Sequence, residues 1–226
     1  MSSILESQIE RAEKEWLEAW KRGPTRLRWS RVPLQVGDKA PDFELPDASA
    51  NPIRLSSLWK GQPLLVLFWR HFGCSCGVDR GSRLKQEYDG YVKAGASVVI
   101  IAQGEPERAV AYSEKYQLPP VPILCDPQYR VYDAYGLLEG KPSQVLFDAP
   151  EEFLDRQYET GVKFQRDRHE SGRPAVDSPW QMAGEFVIDA AGEVRLAYRY
   201  NFCEDYPDPR VLLAAIREAI KEGPKA

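Results

Sequence analysis

Residues 63–79 read PLLVLFWRHFGCSCGVD. The apolar run over 63–70 has the length of one buried strand. Cys74 and Cys76 follow it between Gly73 and Gly77. Downstream, Leu84, Tyr88 and Tyr91 or Val92 recur on one face, which predicts a helix from about Val78 to Lys93. Open α/β sheets bind ligands at the carboxyl ends of their strands. A cysteine there points its sulfur at the unpaired N–H groups of the following helix. Those groups and the helix dipole stabilise a thiolate, lowering its pKa from about 8.5 towards neutrality. Strand, cysteine turn and helix together make a reactive thiol out of ordinary parts. The competing reading is that Cys74 and Cys76 are inert small apolar residues. Two cysteines one serine apart, flanked by glycines that let backbone approach a substrate, favour reactivity.

Working outward, SVVIIA (97–102) and VPILC (121–125) read as further strands, with a helix opening at Pro106 between them. That β-α-β-α-β order implies parallel strands joined by right-handed crossovers. Residues 36–62 read as turns with short strands such as DFEL. Residues 148–180 are polar and read as an insertion, helical from Asp148-Ala149-Pro150, with an irregular tail over 169–184. EFVID, the turn AAG and EVRLAYRY form a hairpin. A last helix starts at Asp208-Pro209, with Leu212, Ala215, Ile216 and Ile220 facing inward. At the other end, Leu5, Ile9, Ala12, Trp16 and Trp20 mark one face of a helix over 3–20, stopped by Gly23-Pro24. It is expected to pack on the flank of the domain. A dimerisation arm, and hence a homodimer, is the alternative, because two tryptophans on one stripe form a large apolar surface. The division is an N-terminal helical extension over 1–30 and one α/β domain over 31–226.

The 226 residues suffice for a core without disulfides or metal. Net charge is −4 with no basic patch, so neither nucleic acid nor an anionic membrane surface is an expected partner. No apolar run reaches the length of a membrane span, and the glutamate-rich start does not read as a signal peptide. A cytoplasmic protein is the simplest reading. Its four cysteines, Cys74, Cys76, Cys125 and Cys203, are then reactive, metal-binding or buried rather than structural disulfides. Zinc or an iron–sulfur cluster would need a second close cysteine pair, which is absent, so no cofactor is expected.

The stretches 36–58 and 63–76 together resemble the opening of the peroxiredoxin family, the alkyl hydroperoxide reductase and thiol-specific antioxidant proteins. ILCDPQYRVYDAYGL (123–137) and EFVIDAAGEV (185–194) are similar to later elements of that family. RHFGC (70–74) is closest to the peroxiredoxin-like branch, which follows it with a second cysteine. The resemblance covers most of 35–220. It implies a thioredoxin-like fold: a central mixed sheet flanked by helices, here with the N-terminal extension and an insertion before the last hairpin. It also implies peroxide or disulfide reduction at Cys74, with thioredoxin or a small thiol as reductant.

The family's proline seven residues, and threonine three residues, before the reactive cysteine fall on Leu67 and His71. Its arginine before the strand FVID falls among Ala183, Gly184 and Glu185. The second cysteine of a thioredoxin Cys-x-x-Cys would fall on Gly77. Arg70 and His71 are the candidates to replace the lost groups, by stabilising the thiolate or passing a proton to the leaving oxygen. Their bland alternatives are a surface arginine and a histidine bonded to backbone. Cys74 thiolate would attack oxygen or sulfur, giving a sulfenic acid or mixed disulfide that Cys76, Cys203 or an external thiol resolves. Two residues apart on a helix, Cα atoms lie about 5.4 Å apart but the side chains diverge by about 200°. A Cys74–Cys76 bond therefore requires a turn, for which Gly73 and Gly77 could supply positive φ. The non-catalytic alternative is a thioredoxin-fold redox sensor or binding module that contacts a partner through its tryptophan stripe and polar insertion.

Overall fold

A computed structural model describes residues 3–173 and 177–221. In chain order, the elements are α1 (Ser3–Arg22), β1 (Glu44–Pro46), β2 (Pro52–Arg54), α2 (Leu55–Trp59), β3 (Leu64–Phe68), α3 (Ser75–Lys93), β4 (Ser97–Ala102), α4 (Pro106–Tyr116), β5 (Ile123–Cys125), α5 (Arg130–Ala134), α6 (Pro142–Val145), α7 (Glu151–Leu154), α8 (Tyr158–Glu170), β6 (Gly184–Ile188), β7 (Val194–Arg199) and α9 (Pro209–Lys221).

The main sheet has the order β5-β4-β3-β6-β7. β3 lies parallel to β4 and antiparallel to β6, so the sheet is mixed. Because β3 is central, both its faces are covered, and every one of its residues is buried. The period of two sorts them. Leu65, Leu67 and Trp69 join the core under α3, α4 and α9. Leu64, Val66 and Phe68 join the core under α2 and α5. This is a thioredoxin-like fold, and its central strand delivers Arg70, His71 and Cys74 to the edge of the sheet.

Several boundaries differ from the sequence reading. α3 starts at Ser75 rather than Val78, because the cysteine pair itself forms the helix entry. Its inward face uses Leu84 and Tyr91, while Val92 is exposed. In α9, Ala219 is buried and Ile220 is 49% exposed, since residues 212, 216 and 219 keep the spacing of one helix face. The insertion is more helical than expected. Pro150 caps α7, and α8 carries on through His169 and Glu170. Residues 174–176 of the expected irregular tail lie outside the described residues.

The N-terminal helix packs within its own chain. Trp20 stacks between Trp16 and Trp180, at ring separations of 5.5 and 5.2 Å. Phe153 of α7 and Phe164 of α8 close the cluster. Trp20 Nε1 donates to the Gln157 carbonyl at 3.0 Å, and Trp180 Nε1 to that of Ala19 at 2.7 Å. The stripe that could have formed a dimerisation arm is thus buried intramolecularly. Among the described residues, no helix is long and apolar enough to cross a membrane.

Candidate active site

Cys74 is the N-cap residue of α3, with extended backbone (φ −76°, ψ 133°). Its N–H donates to the His71 carbonyl at 3.0 Å, which turns the chain from strand to helix. Cys76 lies in the first helical turn, and the two cysteines are joined as a disulfide with Cα atoms 5.3 Å apart. One partner outside the helix is enough to let the side chains converge. Neither Gly73 nor Gly77 takes a positive φ, so the expected glycine turn is not used. Gly77 serves a different end: a Cβ there would stand 3.0 Å from Trp69 Nε1 and 3.2 Å from the Tyr112 hydroxyl. Those two groups hydrogen-bond each other at 3.1 Å beneath the helix start. Cys76 is 3% exposed, and its carbonyl accepts the Tyr206 hydroxyl at 2.6 Å. Cys74 is the partly exposed member of the pair.

Arg70 is buried rather than on the surface. Its Nε donates to the Gln181 carbonyl at 3.1 Å, and its Nη2 donates to the Pro179 carbonyl. Nη1 contacts Cys203 Sγ and lies 3.9 Å from Cys74 Sγ. One guanidinium nitrogen thus serves two sulfurs that are far apart in sequence. Cys203 donates to the Val145 carbonyl at 3.0 Å. Burial pushes its thiol up, outweighing the opposing pull of Arg70. Cys125 is buried at the end of β5, and burial pushes its thiol up to about 12.

His71 is buried, and its Nδ1 has no hydrogen-bond partner. Burial, reinforced by Arg70, Arg168, Arg108 and Arg173, holds it well below the ordinary histidine range. The imidazole is therefore neutral at pH 7. It cannot stabilise a thiolate as a cation, although it keeps one N–H to give.

A cavity of about 220 Å³ opens in front of Cys74. Arg70 and His71 line it from the strand end, Trp16 and Trp20 from α1, Phe153 from α7, and Phe164, Asp167 and Arg168 from α8. The extension and the insertion, which the sequence reading treated as appendages, build its walls. Arg168 lies 4.4 Å above the Trp16 ring. The two arms can meet because Gly161 faces α1, where a Cβ would stand 2.8 Å from Trp20 Cδ1.

Residues 36–197 match the model of the AhpC/TSA family. The chain belongs to that family. It is 25% identical over 181 residues to the chloroplastic thioredoxin-like protein AAED1 of Arabidopsis thaliana, covering 78% of this chain and 70% of the relative. It is 32% identical over 111 residues to peroxiredoxin Bcp of Escherichia coli, covering 46% and 66%. Among solved structures, peroxidoxin BcpB from Mycobacterium tuberculosis superposes with a TM-score of 0.58 at 20% identity, covering 82% of this chain and 97% of that one. The peroxiredoxin-like protein from Aquifex aeolicus gives 0.56 at 15%, covering 84% and 90%. These two likenesses speak for the fold. Taken with the family match, the chain is a thiol-dependent oxidoreductase of the peroxiredoxin type.

Glu185, near the place of the family arginine, turns inward and accepts from Arg80 Nε of α3 at 2.7 Å. The cation beside the sulfur is instead Arg70 on the strand side, and Arg168 and Arg173 from the insertion line the same cavity. Sequence reasoning named Arg70 and His71 from their spacing to Cys74, and the structure places both in the lining of this cavity. It missed Arg168, whose position becomes legible only once α8 is known to fold back over the site.

Proposed function

We propose that Cys74 is the nucleophile of a thiol peroxidase and that Cys76 resolves it. Reduced Cys74 at the N-cap faces the unpaired amides of α3, with Arg70 behind it, and both favour the thiolate. The thiolate attacks the terminal oxygen of a hydroperoxide. The O–O bond breaks, the alcohol leaves with a proton, and Cys74 becomes a sulfenic acid. Cys76 then attacks the Cys74 sulfur, water leaves, and the disulfide forms. The single observation that carries this reading is the pairing itself: a partly exposed Cys74 bonded to a buried Cys76. The reductant, a thioredoxin-type protein or a small thiol, attacks the sulfur it can reach, that of Cys74, and expels Cys76 as the thiolate. Such a cycle suits a reducing compartment such as the cytoplasm. Cys203, held as a thiol on the Val145 carbonyl, is left outside the cycle.

The test is to add one equivalent of hydrogen peroxide to the fully reduced protein and map its tryptic peptides. The peptide 71–80, HFGCSCGVDR, should appear two mass units light. Cys74→Ser should abolish turnover. Cys76→Ser should accumulate a sulfenic acid that dimedone traps. A Cys74–Cys203 cross-link in the wild type would reassign the resolving thiol. Full turnover by Cys74→Ser would remove the mechanism.

A further inference from the structure

The cavity in front of Cys74 is larger and more cationic than reduction of hydrogen peroxide requires. Its volume of about 220 Å³ compares with roughly 30 Å³ for one molecule of liquid water. Three arginines line it, Arg70, Arg168 and Arg173, against one carboxylate, Asp167, whose side chain is 44% exposed. Among the described residues of the lining, three nitrogens sealed from solvent have no partner: Nη1 of Arg168, Nδ1 of His71 and Nε1 of Trp16. Buried polar atoms are rarely left unpaired, and each of these belongs to a side chain that lines the cavity. Burial and the repulsion of Arg173 and Arg70 pull the Arg168 guanidinium down to about 9. The remaining walls are aromatic and aliphatic, with Val145 and Leu146 beside the tryptophans and phenylalanines.

We propose that this cavity selects a hydroperoxide carrying a carboxylate, with the carboxylate on Arg168, the apolar body against Trp16 and Phe164, and the O–O bond towards Cys74. The inference rests on the reading of Cys74 as a peroxidatic thiol. A carboxylate pairs with the Arg168 guanidinium and offsets an excess of cations that Asp167 and Glu13 compensate only in part. Guanidinium–carboxylate contacts are among the stronger hydrogen bonds, the more so away from water. The arginine is already stacked on Trp16, so little side-chain freedom remains to be lost on binding.

Two measurements test it separately from the reading beneath it. The first is turnover of cumene hydroperoxide against its para-carboxylate analogue, two substrates with the same reacting group. The carboxylate should be favoured at least about tenfold in kcat/KM, and Arg168→Met should collapse that ratio towards one while Arg168→Lys retains part of it. The second is equilibrium binding of 4-isopropylbenzoate, which cannot react, read by tryptophan fluorescence of the wild-type protein. It should bind, and neutral cumene should bind more weakly. Equal kcat/KM for the two hydroperoxides overturns the substrate assignment and leaves the peroxidase reading standing. Absence of 4-isopropylbenzoate binding overturns the anion site whatever the kinetics. Turnover of neither hydroperoxide, with the benzoate still bound, removes the peroxidase reading and the substrate assignment with it.

Discussion

At the scale of single residues, the proposed role of Cys74 turns on the charge around it. Arg70 is the only one of the two candidates beside it that carries charge, because burial and the surrounding guanidiniums keep His71 neutral. The sign follows. A cation near a thiol lowers its pKa, and removing that cation raises it, so less thiolate exists at a given pH. The kcat/KM profile should show one ascending limb, from ionisation of Cys74. Arg70→Met should move that limb to higher pH by about one unit or more. His71→Asn should leave its midpoint within about 0.3 unit, since a neutral imidazole has no charge to lose. A limb near 6.5 that vanishes in His71→Asn would show that the imidazole titrates after all. Gly77 carries a second prediction of this scale. Adding a methyl group 3.0 Å from Trp69 Nε1 requires the buried Trp69–Tyr112 pair to give by a few tenths of an ångström. Gly77→Ala should destabilise the protein by about 1–3 kcal/mol in urea unfolding, the usual range for overpacking. An unchanged midpoint would mean that the pair shifts freely.

At the scale of elements, the proposed cycle requires α3 to hold its first turn still while the two cysteines open and close. Its anchor is a buried polar network. Arg80 Nε donates to Glu185 of β6 at 2.7 Å, and its Nη1 donates to Glu87 at 2.8 Å. The Tyr200 hydroxyl donates to Glu185 at 2.5 Å. Burial opposes the charge on Arg80, but Glu185, Tyr200 and Glu87 prevail and hold it firmly protonated. Glu185→Leu leaves that cation with half its partners and should cost about 3–5 kcal/mol. Arg80→Met combined with Glu185→Leu should cost less than Glu185→Leu alone, because the buried cation is gone and the Glu87 carboxylate that remains keeps its hydrogen bond from Tyr91; a double-mutant cycle by urea unfolding measures this. Additive losses would mean that the two residues act independently. This network also marks where sequence reading stopped. The strands 63–70, 97–102 and 121–125 were legible because fully buried strands read as continuous apolar runs. The helix after Cys74 was legible through Leu84 and Tyr91. Glu185 was noted only as a departure from a family position. Its partner lies 105 residues away, and no local pattern links the two. Arg168 was hidden for the same reason, since a charged residue on a polar helix reads as solvated until the fold closes it over another element.

At the scale of the whole molecule, the sheet supplies the thiol, while the N-terminal helix and the insertion supply the chamber around it. α1 meets α8 through Trp16, Trp20 and the gap at Gly161. Removing residues 1–24 therefore does two things at once. It uncovers Trp180, Phe153 and Phe164, which α1 now shields, and it deletes two aromatic walls of the cavity. A buried tryptophan hides roughly 150–250 Å², worth about 4–6 kcal/mol at ~25 cal/mol per Å² before the entropy of ordering the helix is subtracted. A net loss of a few kcal/mol should lower Tm by about 5 °C or more for a chain of this size. The exposed aromatics should bind the dye ANS. Cys74 keeps its strand, its helix and Arg70, none of which α1 supplies, so the truncated protein should still form the Cys74–Cys76 disulfide after peroxide. Its rate with bulky hydroperoxides should rise relative to the wild type, because the chamber has lost a wall. A truncated protein with unchanged Tm and no ANS binding would mean that α1 only rests on the surface. A truncated protein that stays folded but no longer forms the disulfide would mean that α1 acts on the thiol itself, and the division between thiol and chamber would have to be redrawn.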